Sequence, residues 1–564
     1  MRGRLLVVLA SLLSLLIFSQ LGFVSFAQPS ESPPVHPLNL ALEDAPGDLP
    51  LSAIIASPQP VPPNTTPTVV TLAAGAVCRP ECTISGSFAA PSGSWAMILL
   101  NYTGEARGNV FDSAYSLFVN GVDVFQGTSP EYGRWSVLKD ITEYTALFKG
   151  TVNFVFHVPG AIIQGNFTTW LSISFYPVPK GETPPSEPNV ILPLWSGVSL
   201  TQSSPSATLS VNVPYNTLNA TLELYAYGFG LDEFWYTNEP SFRDVIVSVD
   251  SKPIASVLPF PYINTGGIDL FAWRPITAVF TLDDPAYRLD VTPALGLLEG
   301  EHELSVQVLN IFPASRWIIS GALLLYTSPN TPPAKQVSYS FNGPVVATAT
   351  NPSFTYFNQT ANISYSYSSK IGDNLYTLES SQSFANNQTF NQIWENITGY
   401  ETTRTVTTNT GPESSLISKS ITTTYYPLRM DTGFVFTVTS TTNGGFPIYG
   451  TFSILLYNLL QGWVESEVSV SPASANPSHT LLNDTVTVTN GVTSGNIELI
   501  SPSAGIITAI TFISANTTKS YMLVSRPAAP YKLFAHTIVG SSYQPQPPYF
   551  AETVTTNRIL ALLG

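Results

Sequence analysis

The chain reads as an all-β protein of packed sandwiches, and three observations lead there. Apolar residues recur at every second position: Leu222, Leu224 and Ala226 alternate with Glu223, Tyr225 and Tyr227, and Leu304, Val306 and Val308 repeat the pattern. Period 2 marks strands with one buried face. Turn signals punctuate these stretches. Asn120-Gly121 between apolar runs predicts a hairpin, and Asp250-Ser251-Lys252-Pro253 predicts a turn after Val245, Val247 and Val249. No long amphipathic helical pattern follows the N-terminal leader, so short strands with regular turns argue for sandwiches.

In chain order, the leader comes first. Arg2 and Arg4 precede an apolar core from Leu5 to Phe18, and Ser25-Phe26-Ala27 offers a small-x-small site. This predicts a signal peptide over 1–27, cleaved after Ala27. The competing reading is an uncleaved anchor, since Leu5 to Ala27 is long enough to span a bilayer. Residues 28–68 are rich in Pro and Ser without periodicity and read as a linker. A β-rich region spans 69–178 and ends on the alternating Leu171-Ser172-Ile173-Ser174-Phe175. The Pro-rich stretch from Pro177 to Pro188 marks a boundary. A second β region spans 189–328. Ser328 to Pro333 marks another boundary, before a Thr-, Ser-, Asn- and Tyr-rich β region over 334–564 with room for two subdomains. A length of 564 residues accommodates three or four domains.

Composition narrows the function. Hydrophobic residues make up 44%, enough for real cores, whereas charged residues make up only 10%, against roughly 25% in an average soluble domain. The net charge is −15, and Lys and Arg do not cluster, which excludes a nucleic-acid partner. A surface of Ser, Thr, Asn, Gln and Tyr has little to titrate and suits an acidic exterior, with stability expected from about pH 2 to pH 5. The only cysteines lie in Cys78-Arg79-Pro80-Glu81-Cys82. In an exported chain these predict a small disulfide loop; a zinc site would need further ligands nearby. Asn-x-Ser/Thr acceptors occur at Asn64, Asn101, Asn166, Asn219, Asn358, Asn362, Asn387, Asn396, Asn483 and Asn516. They fit a glycosylated exterior, although such strings also arise by chance in a chain rich in Thr and Asn.

The chemistry must rest on carboxylates. There is no Gly-x-Ser-x-Gly elbow, no His-Glu-x-x-His, no phosphate loop and no dinucleotide fingerprint. The five histidines (His36, His157, His302, His479, His536) are scattered. The densest constellation runs from Gly230-Leu231-Asp232-Glu233-Phe234-Trp235-Tyr236 through Arg243-Asp244-Val245-Ile246-Val247-Ser248-Val249-Asp250. It continues in Pro259-Phe260-Pro261-Tyr262-Ile263-Asn264-Thr265-Gly266-Gly267-Ile268 and Trp273-Arg274-Pro275-Ile276. Adjacent acids beside Trp and Tyr suit a sugar site, with rings stacking on pyranose faces and acids bonding hydroxyls or moving protons. The plainer reading is a strand end with a packed Trp and a solvated acid pair.

These strings closely resemble the peptide:N-glycosidase A family, the peptide-N4-(N-acetyl-β-glucosaminyl)asparagine amidases. Order and spacing agree from Leu222 to Tyr326. More loosely, Gly108-Asn109-Val110-Phe111-Asp112 resembles the family's Gly-x-x-Phe-Asp-Arg, and Trp135 to Tyr144 its Trp-x-x-x-Lys-Asp-(Val/Ile)-Thr-x-Tyr. Ser113 stands where the family usually has Arg, and Ser129-Pro130-Glu131-Tyr132 replaces a Thr-x-Glu-Pro-Thr string. Tyr425-Tyr426-Pro427-Leu428 is only a faint echo of a C-terminal segment.

The resemblance implies two adjacent jelly-roll sandwiches with the active site at their junction, and no metal or organic cofactor. The implied reaction hydrolyses the amide joining N-acetylglucosamine to Asn. An amide carbon is a poor electrophile, so water must be activated and the oxyanion stabilised. Asp112 would orient or deprotonate the water. Glu233 would hold the amide or proximal sugar and help protonate the leaving nitrogen. Asp232 and Glu233, as neighbours on a strand, would face opposite ways, so only one reaches the site. Trp235 would stack on sugar, Arg274 would bond glycan or oxyanion unless it is a structural partner of an acid, and Glu131 is a candidate supporting acid. Trp135 reads as core. The implied partners are N-glycosylated peptides or proteins met outside the cell or at its surface, with no stable membrane partner unless the leader stays attached. Two alternatives stand beside this reading: a glycosidase, since paired carboxylates also cut glycosidic bonds, and a non-catalytic glycan-binding or surface protein that kept the fold alone.

Overall fold

Strand-forming periodicity becomes burial directly in the computed structural model. Thr151–Val158 shows it plainly: Val152, Phe154, Phe156 and Val158 are buried while Thr151, Asn153 and Val155 face outward. The structure describes residues 65–411 apart from 79–81, 111–112, 130–132, 159–161, 238–239, 260–282, 285, 351–355 and 390–393. It also describes the backbone of strands at 52–56 and between 415 and 543.

The first unit has two sheets. One orders β1 (Ser52–Ala56), β7 (Gly133–Asp140), β4 (Trp95–Val110), β9 (Ile162–Pro177) and β2 (Thr68–Cys78) side by side; the other orders β3 (Cys82–Ala89), β8 (Thr151–Val158), β5 (Ala114–Val119) and β6 (Val122–Thr128). β1 lies within the stretch read from sequence as linker and pairs in parallel with β7. The Asn120-Gly121 turn joins β5 to β6, with φ of 48° and 86°, the left-handed values that Asn and Gly tolerate. Between the sheets Tyr102 packs against Tyr115, Phe125 and Phe156 at ring separations of 4.8, 5.4 and 5.3 Å. Trp135 is buried in the same core.

The second unit repeats the plan. One sheet orders β10 (Val190–Pro193), β18 (Arg316–Thr327), β13 (Thr217–Phe229) and β16 (Tyr287–Asp290), with β11 (Val198–Thr201) also on β18. The facing sheet orders β12 (Ser206–Val213), β17 (Gly300–Val308), β14 (Val245–Val249) and β15 (Lys252–Val257). The two units share a boundary without a gap, since Ala322 and Leu324 of β18 belong to the first unit's core. That packing corrects the expectation of half-buried strands: Glu223, Tyr225 and Tyr227 are only 2, 4 and 4% exposed, because the first unit covers the face that alternation assigned to solvent.

Beyond them an antiparallel sheet begins with β19 (Lys335–Thr350), β20 (Tyr356–Ile371), β21 (Asn374–Thr389) and β22 (Trp394–Asn409) and continues through Ser415–Val438. Ala361, Ile363, Tyr365, Tyr367, Leu378 and Phe384 of this sheet merge into the second unit's core. Among the described residues, no helix is long and apolar enough to cross a membrane.

Candidate active site

The junction between the two sandwiches is polar, which is unusual for a buried sheet–sheet contact and is where chemistry would be sought. At one end, the Tyr144 hydroxyl donates to Glu223 Oε2 at 2.9 Å. Arg288 lies 2.6 Å from Glu143 Oε2 and 2.7 Å from Glu223 Oε1. Farther along, the Lys139 ammonium donates to Asp283 Oδ1 at 2.8 Å and lies over the rings of Phe125 and Tyr225. The Asp284 N–H donates to the Gln126 carbonyl at 2.9 Å, and Gln126 Nε2 donates to Ser116 Oγ at 3.1 Å. Both Asp284 carboxyl oxygens are buried without a hydrogen-bond partner.

Removing these acids from water raises their pKa values. Burial pushes Glu223 up to about 7 against the opposing pull of Arg288. It pushes Asp123 up to about 7 despite Ser320, Lys139 and Ser116, and lifts Asp284 well above the carboxylate range, with Asp283 adding to the effect. For Lys139 burial acts downward, but Asp283 and Tyr225 outweigh it and the ammonium is held charged.

The sequence-predicted residues fall around this junction unequally. Asp112, Glu131 and Arg274 lie outside the described residues. Their neighbours are placed. The Ser113 N–H donates to Ser129 Oγ at 3.0 Å, and the Ser129 N–H donates to the Ser113 carbonyl at 2.9 Å. These paired backbones join Ser113 and Ser129 at the open end of the β5–β6 hairpin. Ser113 itself is 2% exposed. Ser116, four residues beyond Asp112 in sequence, lies within polar reach of the Tyr227 hydroxyl of β13, so the exit of β13 lies near the start of β5.

β13 leads into the turn that carries Glu233. Asp232 and Glu233 sit on a 3-10 turn, Gly230–Thr237, and not on a strand as sequence suggested. Gly230 starts it at φ +70°, and a Cβ at Gly228 would fall 2.2 Å from the Asp232 carbonyl oxygen, so this bend needs glycine at both positions. Asp232 points inward and is fully buried. Its carboxylate accepts from Arg243 at 2.9 and 3.4 Å, from Trp317 Nε1 at 2.8 Å and from the Phe312 N–H at 3.0 Å. Its own N–H donates to Ser315 Oγ at 3.0 Å. Glu233, one step along the turn, is half-buried. Trp235 corrects a second expectation: it is 3% exposed and packs in the second unit's core, so its face is covered by side chains and not offered to sugar. The turn brings the indole back beneath β13, a placement that alternation along a strand does not give.

Residues 72–343 match the family model for peptide N-acetyl-β-D-glucosaminyl asparaginase amidase A. The match takes in just under half of the chain. A peptide-N4-(N-acetyl-β-glucosaminyl)asparagine amidase A from Prunus dulcis is 28% identical over 282 residues, covering 42% of this chain and 49% of the relative. The chain thus spans about half the length of the curated relative it matches. Among solved structures, PNGase F from Flavobacterium meningosepticum aligns at 12% identity with a TM-score of 0.34, covering 46% of this chain and 96% of that one. PNGF-II aligns at 14% identity with a TM-score of 0.36, covering 46% and 65%.

The matched region contains the polar seam and both sandwiches apart from β1 and the first residues of β2. Sequence reasoning passed over most of that seam. Lys139, Glu143 and Tyr144 lay within a quoted motif, yet nothing in one chain told that Asp283, Glu223 and Arg288 meet them. Among the described residues, no group of three or more His, Cys, Asp or Glu is placed to hold a metal ion.

Proposed function

We propose that this protein is a secreted glycoamidase that hydrolyses the β-aspartylglucosaminyl amide of N-glycosylated peptides or proteins. Water adds to the amide carbon, the C–N bond breaks, Asn becomes Asp, and the glycan leaves as its glycosylamine. The observation that carries this reading is the family match over 72–343, joined to a turn at the exit of β13 that anchors Asp232 inside and leaves Glu233 half-buried.

In this reading Asp112 orients and deprotonates the attacking water, and Glu233 holds the amide or the proximal sugar and delivers a proton to the departing nitrogen. Glu131 and Arg274 support substrate and oxyanion. Ser113 and Ser129, sequence neighbours of Asp112 and Glu131, are paired at the open end of the β5–β6 hairpin, which supports that reading. The apolar leader with its site at Ala27, and a small loop closed between Cys78 at the end of β2 and Cys82 at the start of β3, belong to the same reading of an exported protein.

The deciding experiment is mass spectrometry of a defined N-glycopeptide incubated with the mature chain in heavy-oxygen water near pH 4, a pH chosen to suit the raised carboxyls (about 7) at the junction. Loss of the whole glycan with heavy-labelled Asp supports the amidase. One sugar left on Asn supports a glycosidase, and an unchanged glycopeptide that still binds supports the non-catalytic reading.

A further inference from the structure

The C-terminal sheet grips the second sandwich through polar contacts at its buried face. Gln359 Oε1 accepts from the Phe242 N–H at 2.9 Å, and the Phe242 and Phe384 rings lie 5.4 Å apart. Tyr367 donates to the Ile254 carbonyl at 2.8 Å. Gln382 Nε2 donates to the Ser256 carbonyl at 2.6 Å, which fixes the orientation of its amide and turns Oε1 toward the Ser256 hydroxyl.

At that hydroxyl the protons do not balance. Ser256 Oγ lies 2.6 Å from Asp244 Oδ2 and 2.9 Å from Gln382 Oε1. A serine hydroxyl carries one proton and cannot donate to both. Flipping Gln382 would set its oxygen against the Ser256 carbonyl. The second proton has to come from the remaining group, the Asp244 carboxyl, which is fully buried and whose Oδ1 has no partner. A carboxylate there would leave a buried charge held by the Ser256 hydroxyl with only weaker help from the Val245 and Val257 backbone N–H groups, and a carboxylic acid leaves no charge to hold.

We propose that Asp244 carries this proton and donates it to Ser256 Oγ, so that the C-terminal sheet is clamped to the second sandwich in acid and loosens as the pH rises. The groups facing Asp244 point the same way. Half-buried Glu401 of β22 and buried Tyr365 of β20 lie within electrostatic reach, and neither brings positive charge. Burial pushes Asp244 up to about 8, with the Ser256 hydroxyl pulling back and Glu401 adding to the rise. Glu401, hydrogen-bonded by Gln382, is itself pushed up to about 7 by burial. A carboxyl raised on docking stabilises the docked form fully below its ordinary pKa near 4. That contribution is lost as the pH climbs through about 8.

The clamp lies against the turn that bears Glu233. The segment held by Gln359 runs directly into Arg243, and Arg243 fixes Asp232. The C-terminal sheet is therefore a positioning element for that turn, a consequence that rests on the amidase reading.

The test uses the full mature chain and its Asp244→Asn variant, whose amide supplies a permanent donor of nearly the same shape. Hydrogen exchange at β15 and β21 amides is followed from pH 4 to pH 8, after correction for the intrinsic rate. In the unmutated chain the opening equilibrium should rise by up to about tenfold per pH unit; in the variant that component should vanish. Equal pH dependence in both chains would overturn the proposal. Should the variant not fold, carbon-13 NMR of the unmutated chain decides: the carboxyl of Asp244 should stay protonated at pH 6, and an ionised signal there overturns it. Turnover of a glycopeptide should fall together with opening in the unmutated chain and persist to higher pH in the variant. Absence of turnover at every pH would sink the amidase reading while leaving the exchange and NMR arms intact.

Discussion

Arg243 and Asp232 form an ion pair of 2.9 Å with neither side chain exposed, one residue away from Glu233. Burial of both charges is tolerated because Trp317 and the Phe312 N–H complete the carboxylate's bonding, and the Pro240 and Phe242 carbonyls accept from the guanidinium. The two adjacent acids therefore have different work. Asp232→Ala should destabilise the protein by about 3–5 kcal/mol, because an unpaired arginine is left in the interior. Urea unfolding would measure it.

Glu233→Gln keeps the volume and removes only the charge. Its unfolding midpoint should match the unmutated protein, while glycopeptide turnover should fall roughly 100-fold or more, the usual scale of a lost proton-transfer group. Turnover within a factor of two would remove Glu233 from the mechanism.

Asp112→Asn should abolish turnover and shift stability by less than about 0.5 kcal/mol if the residue serves chemistry and not packing. Parallel calorimetry and glycopeptide assays would separate the two.

Trp235→Ala should cost about 3–5 kcal/mol, as expected for a large ring removed from a core. The remaining folded enzyme should show an unaltered KM. A raised KM at unchanged stability would return Trp235 to the substrate.

The seam between the sandwiches predicts a pH dependence of its own. Asp123 is raised to about 7 by burial, so its contribution is complete below the ordinary carboxylate pKa and fades as the pH rises through about 7. The thermal midpoint should drop between pH 4 and pH 7.5, and Asp123→Asn should flatten part of that slope.

Local pattern made much of the fold legible. The alternation at Leu304, Val306 and Val308, the Asn120-Gly121 hairpin and the turn after Val249 all appear as read. Each depends on neighbours in sequence: side-chain period, left-handed tolerance, a break in apolar runs. The stretch from Leu222 to Tyr326, where the resemblance was read, lies within the family match over 72–343. Asp232 and Trp235 were harder. A strand reading sends successive residues to opposite faces, whereas the 3-10 turn drew both Asp232 and Trp235 inward.

By itself, the sequence determined an all-β chain, its turns and its economy of charge, because these follow from residue type and spacing along one strand. Only the tertiary structure decided which outward faces would be covered. Glu223 and Tyr225 alternate as solvent-facing residues do, and became interior when a second sandwich closed over them. Ser256 and Asp244 became one proton short when Gln382 arrived from more than a hundred residues away. Long-range packing sets the local dielectric and the supply of hydrogen-bond donors, and those two quantities fix where an acid holds its proton.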